Sequence, residues 1–180
     1  MAFLFRAFAY LRPDEPPLGH AWYLLAMCHW LERADAGELP RSMIWIQPRT
    51  LKSFTVANAF PCWLLGRKPS AKIMVATYGE ALSSDHVEAR RRIMTSDWYW
   101  ALFSQTHLAP RGNSGGTLTT TKGGIVRSVS VAGLRRGHLF EPLVKASDAQ
   151  LPWPSGKTSL PRLRIGKGES PSSGEQFDLD

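Results

Sequence analysis

The sequence has little cysteine. Its two cysteines, Cys28 and Cys62, form neither a CxxC pair nor any spacing typical of a metal site. Cys28 is followed by His29, but adjacent residues on a regular helix do not face a single ion. The sequence therefore favours two buried thiols in a reducing cytoplasm.

Long hydrophobic runs and acidic residues are also scarce. The longest apolar stretch, residues 54–65, is interrupted by Thr55, Asn58 and Pro61 and is too short to cross a bilayer, so no membrane partner is expected. Asp and Glu number 15 against 22 Lys and Arg, which gives a net charge of +7. Such a balance favours polyanionic partners, with nucleic acid first. The alternative is a soluble protein that is basic without such a partner.

Composition changes near residue 150. Residues 151–180 contain 13 Gly, Pro or Ser, and their four basic and four acidic residues cancel, so the whole net charge lies in residues 1–150. We expect one domain over residues 1–150 and a disordered or loosely attached tail over residues 151–180.

Hydrophobic periodicity predicts alternating helices and strands in the first domain. Helical spacing covers residues 21–36, 52–65 and 81–95, and short apolar runs typical of buried strands occupy residues 43–46 and 73–76. This order predicts an α/β fold in which one parallel sheet contains both runs and is flanked by crossover helices. Residues 118–121 and 125–131 favour a hairpin.

Two details of the helices follow from single residues. Pro61 removes a hydrogen bond to residue 57 and should kink or divide its helix. In the helix over residues 81–95, Leu82, Ala89 and Ile93 are expected on the buried face, with Arg90–Arg92 pointing away.

Two lysines lie in segments with the residue types of a phosphate-binding loop. Ser155-Gly156-Lys157-Thr158 matches the end of the pattern G-x-x-x-x-G-K-[ST], but the prolines around it leave neither a strand before it nor a helix after it. We interpret this match as chance.

The other candidate is Gln47-Pro48-Arg49-Thr50-Leu51-Lys52-Ser53, which has no glycine but follows an apolar run and opens a helix. In a phosphate loop, Lys52 would contact the β- and γ-phosphates and the Ser53 hydroxyl would join the Mg²⁺ shell. The alternative is a surface Lys-Ser pair at a helix start.

Residues 47–53 resemble the glycine-poor Walker A motif of bacteriophage terminase large subunits, roughly P-P-R-x-x-K-S, with Gln47 in place of the first proline. Other segments similar to this family follow in order. They are residues 60–66, 72–78, 89–94, 98–99, 119–124 and 130–133. The resemblance extends over residues 20–133 and depends on the set of motifs more than on any one of them.

The resemblance implies the ATPase half of a viral DNA-packaging motor, with a P-loop NTPase-like parallel sheet. It implies ATP and Mg²⁺ as cofactors held by residues 47–53, and it implies that Arg49 faces the γ-phosphate as an arginine supplied in cis. It also implies an adenine contact upstream of the loop, for which Trp22 is the candidate; a buried helix aromatic is the alternative. The implied partners are double-stranded DNA, a small terminase subunit and a portal ring in a bacterial host cell. Oligomer formation is a further possibility.

The sequence departs from the family where the Walker B acid is expected. Residues 133–142 contain a short apolar run, and Glu141 is the acid that stands near the expected place. The coupling motif and the nuclease have no counterpart in the sequence. We therefore expect a truncated ATPase part that binds ATP and hydrolyses it weakly or not at all.

Two other hypotheses are left open. Arg90–Arg92 would suit a non-enzymatic basic DNA-binding module, although such a run is more often the solvated face of a helix. A non-functional prophage remnant is the third.

Overall fold

The structure, a computed structural model, describes residues 1–130 and the backbone of a short strand at residues 162–164. Its α-helices are α1 (Ala2–Leu11), α2 (Trp22–Asp35), α3 (Phe60–Arg67), α4 (Glu80–Met94) and α5 (Asp97–Leu102), and a π-helix spans Phe54–Ala59. Its strands are β1 (Met43–Trp45), β2 (Lys72–Thr77), β3 (Thr117–Thr119), β4 (Ile125–Ser130) and β5 (Arg162–Arg164). None of the described helices is both long enough and apolar enough to cross a membrane.

The described strands form two separate sheets. β2 pairs in parallel with β4, β3 pairs with β4 in an antiparallel hairpin, and β1 pairs in parallel with β5. The α/β class and the hairpin are confirmed. The prediction that residues 43–46 and 73–76 share one parallel sheet is wrong for the described strands. An apolar run specifies an extended backbone, but it does not specify the neighbouring strand.

The two predicted buried strands are also more open than expected. Trp45 on β1 is 66% exposed, and β2 alternates between exposed and half-buried residues. Among the described strands β2 has a neighbour on one side only. A groove lined by residues of β2 and by Ile44 of β1 lies beside it. β5 lies within the segment that composition predicts to be disordered, and the rest of that segment lies outside the described residues.

The core lies where the helices pack against the sheet of β2, β3 and β4. The helix α1, for which the sequence analysis made no prediction, buries Leu4, Ala7 and Phe8 at helical spacing. Around its first turn, the Phe3 ring meets three aromatic rings at centroid separations of 5.4, 6.2 and 5.9 Å, those of Trp98, Tyr99 and Phe103 respectively. Such aromatic pairs stabilise a core beyond the area that they bury.

Both cysteines are free, and the prediction of a buried thiol is confirmed for Cys62 but not for Cys28. Cys62 is fully buried, and burial raises the pKa of its thiol to about 12. Cys28 is half-buried, and burial raises its pKa as well. Both groups are therefore protonated and unreactive near neutral pH.

Pro61 divides the helix after the loop, as the sequence predicts. Residues 52–53 begin a helical turn, the π-helix follows, and α3 continues with Pro61 in its first turn. Because Pro61 has no N–H, the carbonyl of Ala57 lacks the donor that an α-helix would supply. The Nη1 atom of Arg90 donates to this carbonyl over 2.6 Å.

Arg90 is fully buried and joins three elements. It lies on α4, donates to Ala57 in the π-helix, and donates through Nη2 to the Ser128 hydroxyl on β4. Burial lowers its pKa, and in the described part of the chain no carboxylate lies within ion-pair distance of it. Backbone and hydroxyl dipoles therefore solvate the guanidinium.

The prediction for the buried face of α4 is confirmed for Ile93 but wrong for Leu82 and Arg90. Leu82 is 47% exposed, and the buried residues are Ser83, His86, Val87, Arg90, Ile93 and Met94. A pattern that counts apolar residues places every arginine outside, whereas the freed carbonyl of Ala57 requires a buried donor. Of the arginine run, only Arg92 is freely exposed, because Arg91 is half-buried and donates to the carbonyl of Asn113.

We expect Arg90→Ala to lower the free energy of unfolding by about 3–5 kcal/mol, because it opens a cavity and leaves the half-buried carbonyl of Ala57 without its donor. Urea denaturation followed by circular dichroism measures this change. The matched control, Arg92→Ala, removes the same charge from an exposed site and should change stability by less than about 0.5 kcal/mol. Equal effects of the two substitutions would contradict the role assigned to Arg90.

Candidate phosphate-binding loop

The segment 47–53 connects a strand to a helix, as the sequence predicts. β1 ends at Trp45, and the helical turn that leads into the π-helix begins at Lys52. Gln47, Pro48 and Arg49 are exposed, whereas Thr50 is buried. This order places a helix N-terminus, with its unpaired N–H groups, directly after the loop.

The backbone of the loop has an unusual conformation for its sequence. Arg49 and Leu51 have φ angles of 65° and 58°, and they are the only non-glycine residues with positive φ among those described. Each left-handed residue costs roughly 1–2 kcal/mol, and such strain clusters at functional sites. Thr50 between them has negative φ. Alternation of right- and left-handed residues is the backbone pattern of an anion-binding nest, and the signs of φ in this loop follow that pattern.

Contacts inside the loop hold this conformation. The Thr50 hydroxyl donates to the carbonyl of Gln47 over 2.9 Å, and the side chain of Leu51 packs against the core. The ammonium group of Lys52 donates to the carbonyl of Ile46 over 3.1 Å, across the base of the loop. A phosphate oxygen, being charged, is a stronger acceptor than this neutral carbonyl.

Cavities open on two sides of Lys52 and Ser53. One, of about 690 Å³, is lined by residues 48–54 and, beyond them, by Arg12, Glu15, Asn58 and His86. The other, of about 640 Å³, is the groove between β1 and β2. The first, which we call the loop cavity, has the size of a small-molecule site.

The loop cavity is cationic. Arg12, Arg49 and Lys52 line it together with one acid, Glu15, which forms an exposed ion pair of 2.8 Å with Arg12. Burial lowers the pKa of His86, and the positive charge of Arg90 lowers it further against the opposing effect of Asp85, which favours the neutral imidazole. The remaining excess of positive charge suits an anionic ligand.

One predicted site residue, Trp22, is not brought to the loop. Trp22 is the half-buried first residue of α2, stands edge-on to Tyr23 with a centroid separation of 6.3 Å, and lines neither cavity beside the loop. Glu141 lies outside the described residues.

For Mg²⁺, the described residues offer the exposed hydroxyl of Ser53 but no cluster of three or more His, Cys, Asp or Glu. This fits an ion that keeps most of its ligands as water and nucleotide phosphate, which is how Mg²⁺ commonly binds. It does not fit a cage built by the protein alone.

Four residues of the loop cavity are not predicted from the sequence: Arg12, Glu15, Asn58 and His86. They come from the end of α1, the turn after it, the π-helix and α4. No motif joins them, because positions so far apart in sequence meet only through tertiary packing.

Comparison of the chain with protein-family models, with curated proteins and with solved structures found no match. The assignment of a function therefore depends on the geometry of the loop and on the residues around it.

We expect Arg49→Gly to be more stable than Arg49→Ala by about 1 kcal/mol. Both substitutions remove the guanidinium group, but only glycine adopts positive φ without steric cost. The comparison is made by chemical denaturation of the two variants. The same pair of substitutions at Arg41, which does not have positive φ, should show no advantage for glycine. An alanine variant at position 49 as stable as the glycine variant would mean that the loop is not held in the left-handed conformation.

Proposed function

We propose that the chain binds ATP with Mg²⁺ through residues 47–53, as an ATP-binding fragment from the lineage of terminase large subunits. The observation that carries this proposal is the strained loop between β1 and the π-helix, with left-handed Arg49 and Leu51 preceding Lys52 and Ser53. A loop that keeps costly backbone angles without glycine is best explained by an anion that its N–H groups bind.

Each residue of the loop has a role in this proposal. The N–H groups of the nest bind the β- and γ-phosphates, and Lys52 exchanges its bond to Ile46 for one to a phosphate oxygen. The Ser53 hydroxyl contributes to the Mg²⁺ shell. The exposed side chain of Arg49 is free to reach the γ-phosphate from the solvent side.

Binding by these groups is local, whereas hydrolysis needs more. A carboxylate must hold the metal ion, and a further group must orient water. The described residues around Ser53 supply neither in a cluster, and Glu141 is the candidate acid from the sequence alone. We therefore propose an ATP-binding protein with little turnover.

The proposed partners rest on the resemblance alone. They are double-stranded DNA, a small terminase subunit and a portal ring. The competing hypothesis of a basic DNA-binding module that uses Arg90–Arg92 is weakened by the burial of Arg90. In addition, Arg91 donates to the carbonyl of Asn113 and lies close to Glu88. Arg92 is the exposed member of that run.

Substitution of Lys52 tests the proposal. We expect Lys52→Ala to weaken binding of ATP by at least about tenfold, since it removes a charge-assisted hydrogen bond to phosphate. Fluorescence titration with an ATP analogue in the presence of Mg²⁺ measures the affinity. Lys122→Ala removes an equal charge from the hairpin turn and serves as the control. ATP binding that is the same in both variants would exclude the loop as the site.

Hydrolysis is expected to be absent or several orders of magnitude slower than in a complete ATPase, with or without double-stranded DNA. Release of inorganic phosphate from ATP measures it, with Glu141→Gln and Lys52→Ala as controls. Robust turnover that both substitutions abolish would show that Glu141 is a working Walker B acid and that a hydrolytically impaired protein is the wrong description.

A further inference from the structure

Arg12 brings a positive charge to the loop cavity from outside the loop. It is the residue that follows α1, where its backbone N–H donates to the carbonyl of Phe8 over 2.9 Å. Its side chain is 45% exposed and lines the loop cavity together with Arg49 and Lys52. A guanidinium group presents a planar fork of donors that matches a phosphate group in a bidentate pair. The cavity therefore contains a phosphate donor that the segment 47–53 does not supply.

Aromatic packing holds the guanidinium group of Arg12 beside the loop. Its central carbon lies 5.4 Å from the centroid of the Phe8 ring, within the range of a cation–π contact. The buried Phe8 ring packs edge-on against the buried ring of Phe54 at a centroid separation of 5.7 Å. Phe54 directly follows Ser53 and itself lines the loop cavity. These contacts connect the end of α1 to the helical segment that begins at the loop.

Glu15 is the acceptor that Arg12 contacts. Its Oε1 atom accepts from the Nη1 atom of Arg12 over 2.8 Å, and its backbone N–H donates to the carbonyl of Arg12 over 3.2 Å. Pro13 and Pro16 stand on either side of this turn, and their fixed φ angles restrict its conformations. Glu15 also lines the loop cavity. A carboxylate of the chain thus stands beside the guanidinium group at a place that an anionic ligand would reach.

Exchange of this carboxylate for a phosphate group is favourable. The side chain of Glu15 is 49% exposed, and exposed ion pairs contribute little to stability, so the pair is easily broken. A polyphosphate carries several negative charges, and Arg49 and Lys52 line the same cavity. The ligand would therefore interact with several cations at once, whereas the Glu15 carboxylate carries a single charge.

Resting on the proposed function, we propose that Arg12 is a further phosphate-binding residue of the loop cavity and that Glu15 competes with the polyphosphate of the nucleotide for its guanidinium group. When the ligand binds, Arg12 exchanges the Glu15 carboxylate for a phosphate oxygen, as Lys52 exchanges the carbonyl of Ile46. Arg12 thereby increases the affinity for polyphosphate, and Glu15 decreases it.

Substitution of Arg12 is the first arm of the test. Isothermal titration calorimetry with the full chain and Mg²⁺ measures the affinities of inorganic tripolyphosphate and of ATP. We expect Arg12→Gln to lower both affinities about tenfold, because it removes a charge-assisted hydrogen bond to phosphate. Its melting temperature should stay close to that of the unmodified chain, since the side chain is exposed. The control, Arg6→Gln, removes an equal charge from the exposed side of α1, and Arg6 does not line the loop cavity. It should change the affinities by less than about twofold, since salt screens distant charges.

Substitution of Glu15 is the second arm. We expect Glu15→Gln to raise the affinity for tripolyphosphate about two- to fivefold, the range that release of an exposed ion pair allows. Asp14→Asn removes an equal charge from the neighbouring residue, which does not line the loop cavity, and should have a smaller effect. In a chain that already carries Arg12→Gln, Glu15→Gln should give no increase, because no guanidinium group is left for Glu15 to hold.

The outcomes separate this proposal from the proposed function. Affinities that fall no further in Arg12→Gln than in Arg6→Gln would overturn the role of Arg12. An equal increase from Glu15→Gln with and without Arg12, or an equal increase from Asp14→Asn, would overturn the competition, since it would show a general effect of charge. Loss of binding in Lys52→Ala would leave the phosphate loop standing in each of these cases. Failure of tripolyphosphate and ATP alike to bind the unmodified chain would overturn both the loop and the role of Arg12.

Discussion

The hydrogen bond from Arg90 to the carbonyl of Ala57 is the contact on which the described fold depends most. Pro61 leaves that half-buried carbonyl without the donor of an α-helix, and one buried guanidinium group donates both to it and to the Ser128 hydroxyl. This fixes three things together: the rotation of α4, the path of the π-helix and the position of β4. Because the freed carbonyl is five residues beyond Lys52, the same contact anchors the helix that presents the phosphate-binding loop.

The guanidinium group is stabilised without an opposite charge. Its partners are a carbonyl and a hydroxyl, and its Nε atom is enclosed without a partner among the described residues. Burying a cation in this way is costly unless several dipoles surround it, so the neighbourhood tolerates little rearrangement. Such a contact is better understood as a constraint that selects one packing than as a large source of stability.

The sequence predicts those features that depend on neighbouring residues. The helix over residues 21–36, the hairpin and the division at Pro61 follow from local periodicity and from the chemistry of proline, and the structure confirms them. Sheet membership and the buried face of α4 are not local. Sheet membership depends on which strands meet in the folded chain. The buried face of α4 depends on the guanidinium group of Arg90, which a hydrophobic pattern does not include.

The candidate site divides in the same way. Residues 47–53 are recognisable because the strand, the loop and the Lys-Ser pair are contiguous. The left-handed backbone of Arg49 and Leu51 is not recognisable from the sequence, since both residue types disfavour it. Asn58 and His86 come to the loop cavity only through tertiary packing. The loop has no glycine, and its left-handed conformation is held instead by the contacts of Thr50 and Leu51.

The exposed edge of β2 has a consequence for the behaviour of the protein in solution. Among the described strands none pairs with this outer edge, so the extended backbone of Lys72–Thr77 directs amide and carbonyl groups toward the groove, and Lys72 is its one charged side chain. Natural sheets guard such edges with charge, proline or bulges, because an unguarded edge templates pairing with strands of other molecules. The chain should therefore form ordered β-aggregates as its concentration rises, through the same backbone groups that a neighbouring strand would occupy.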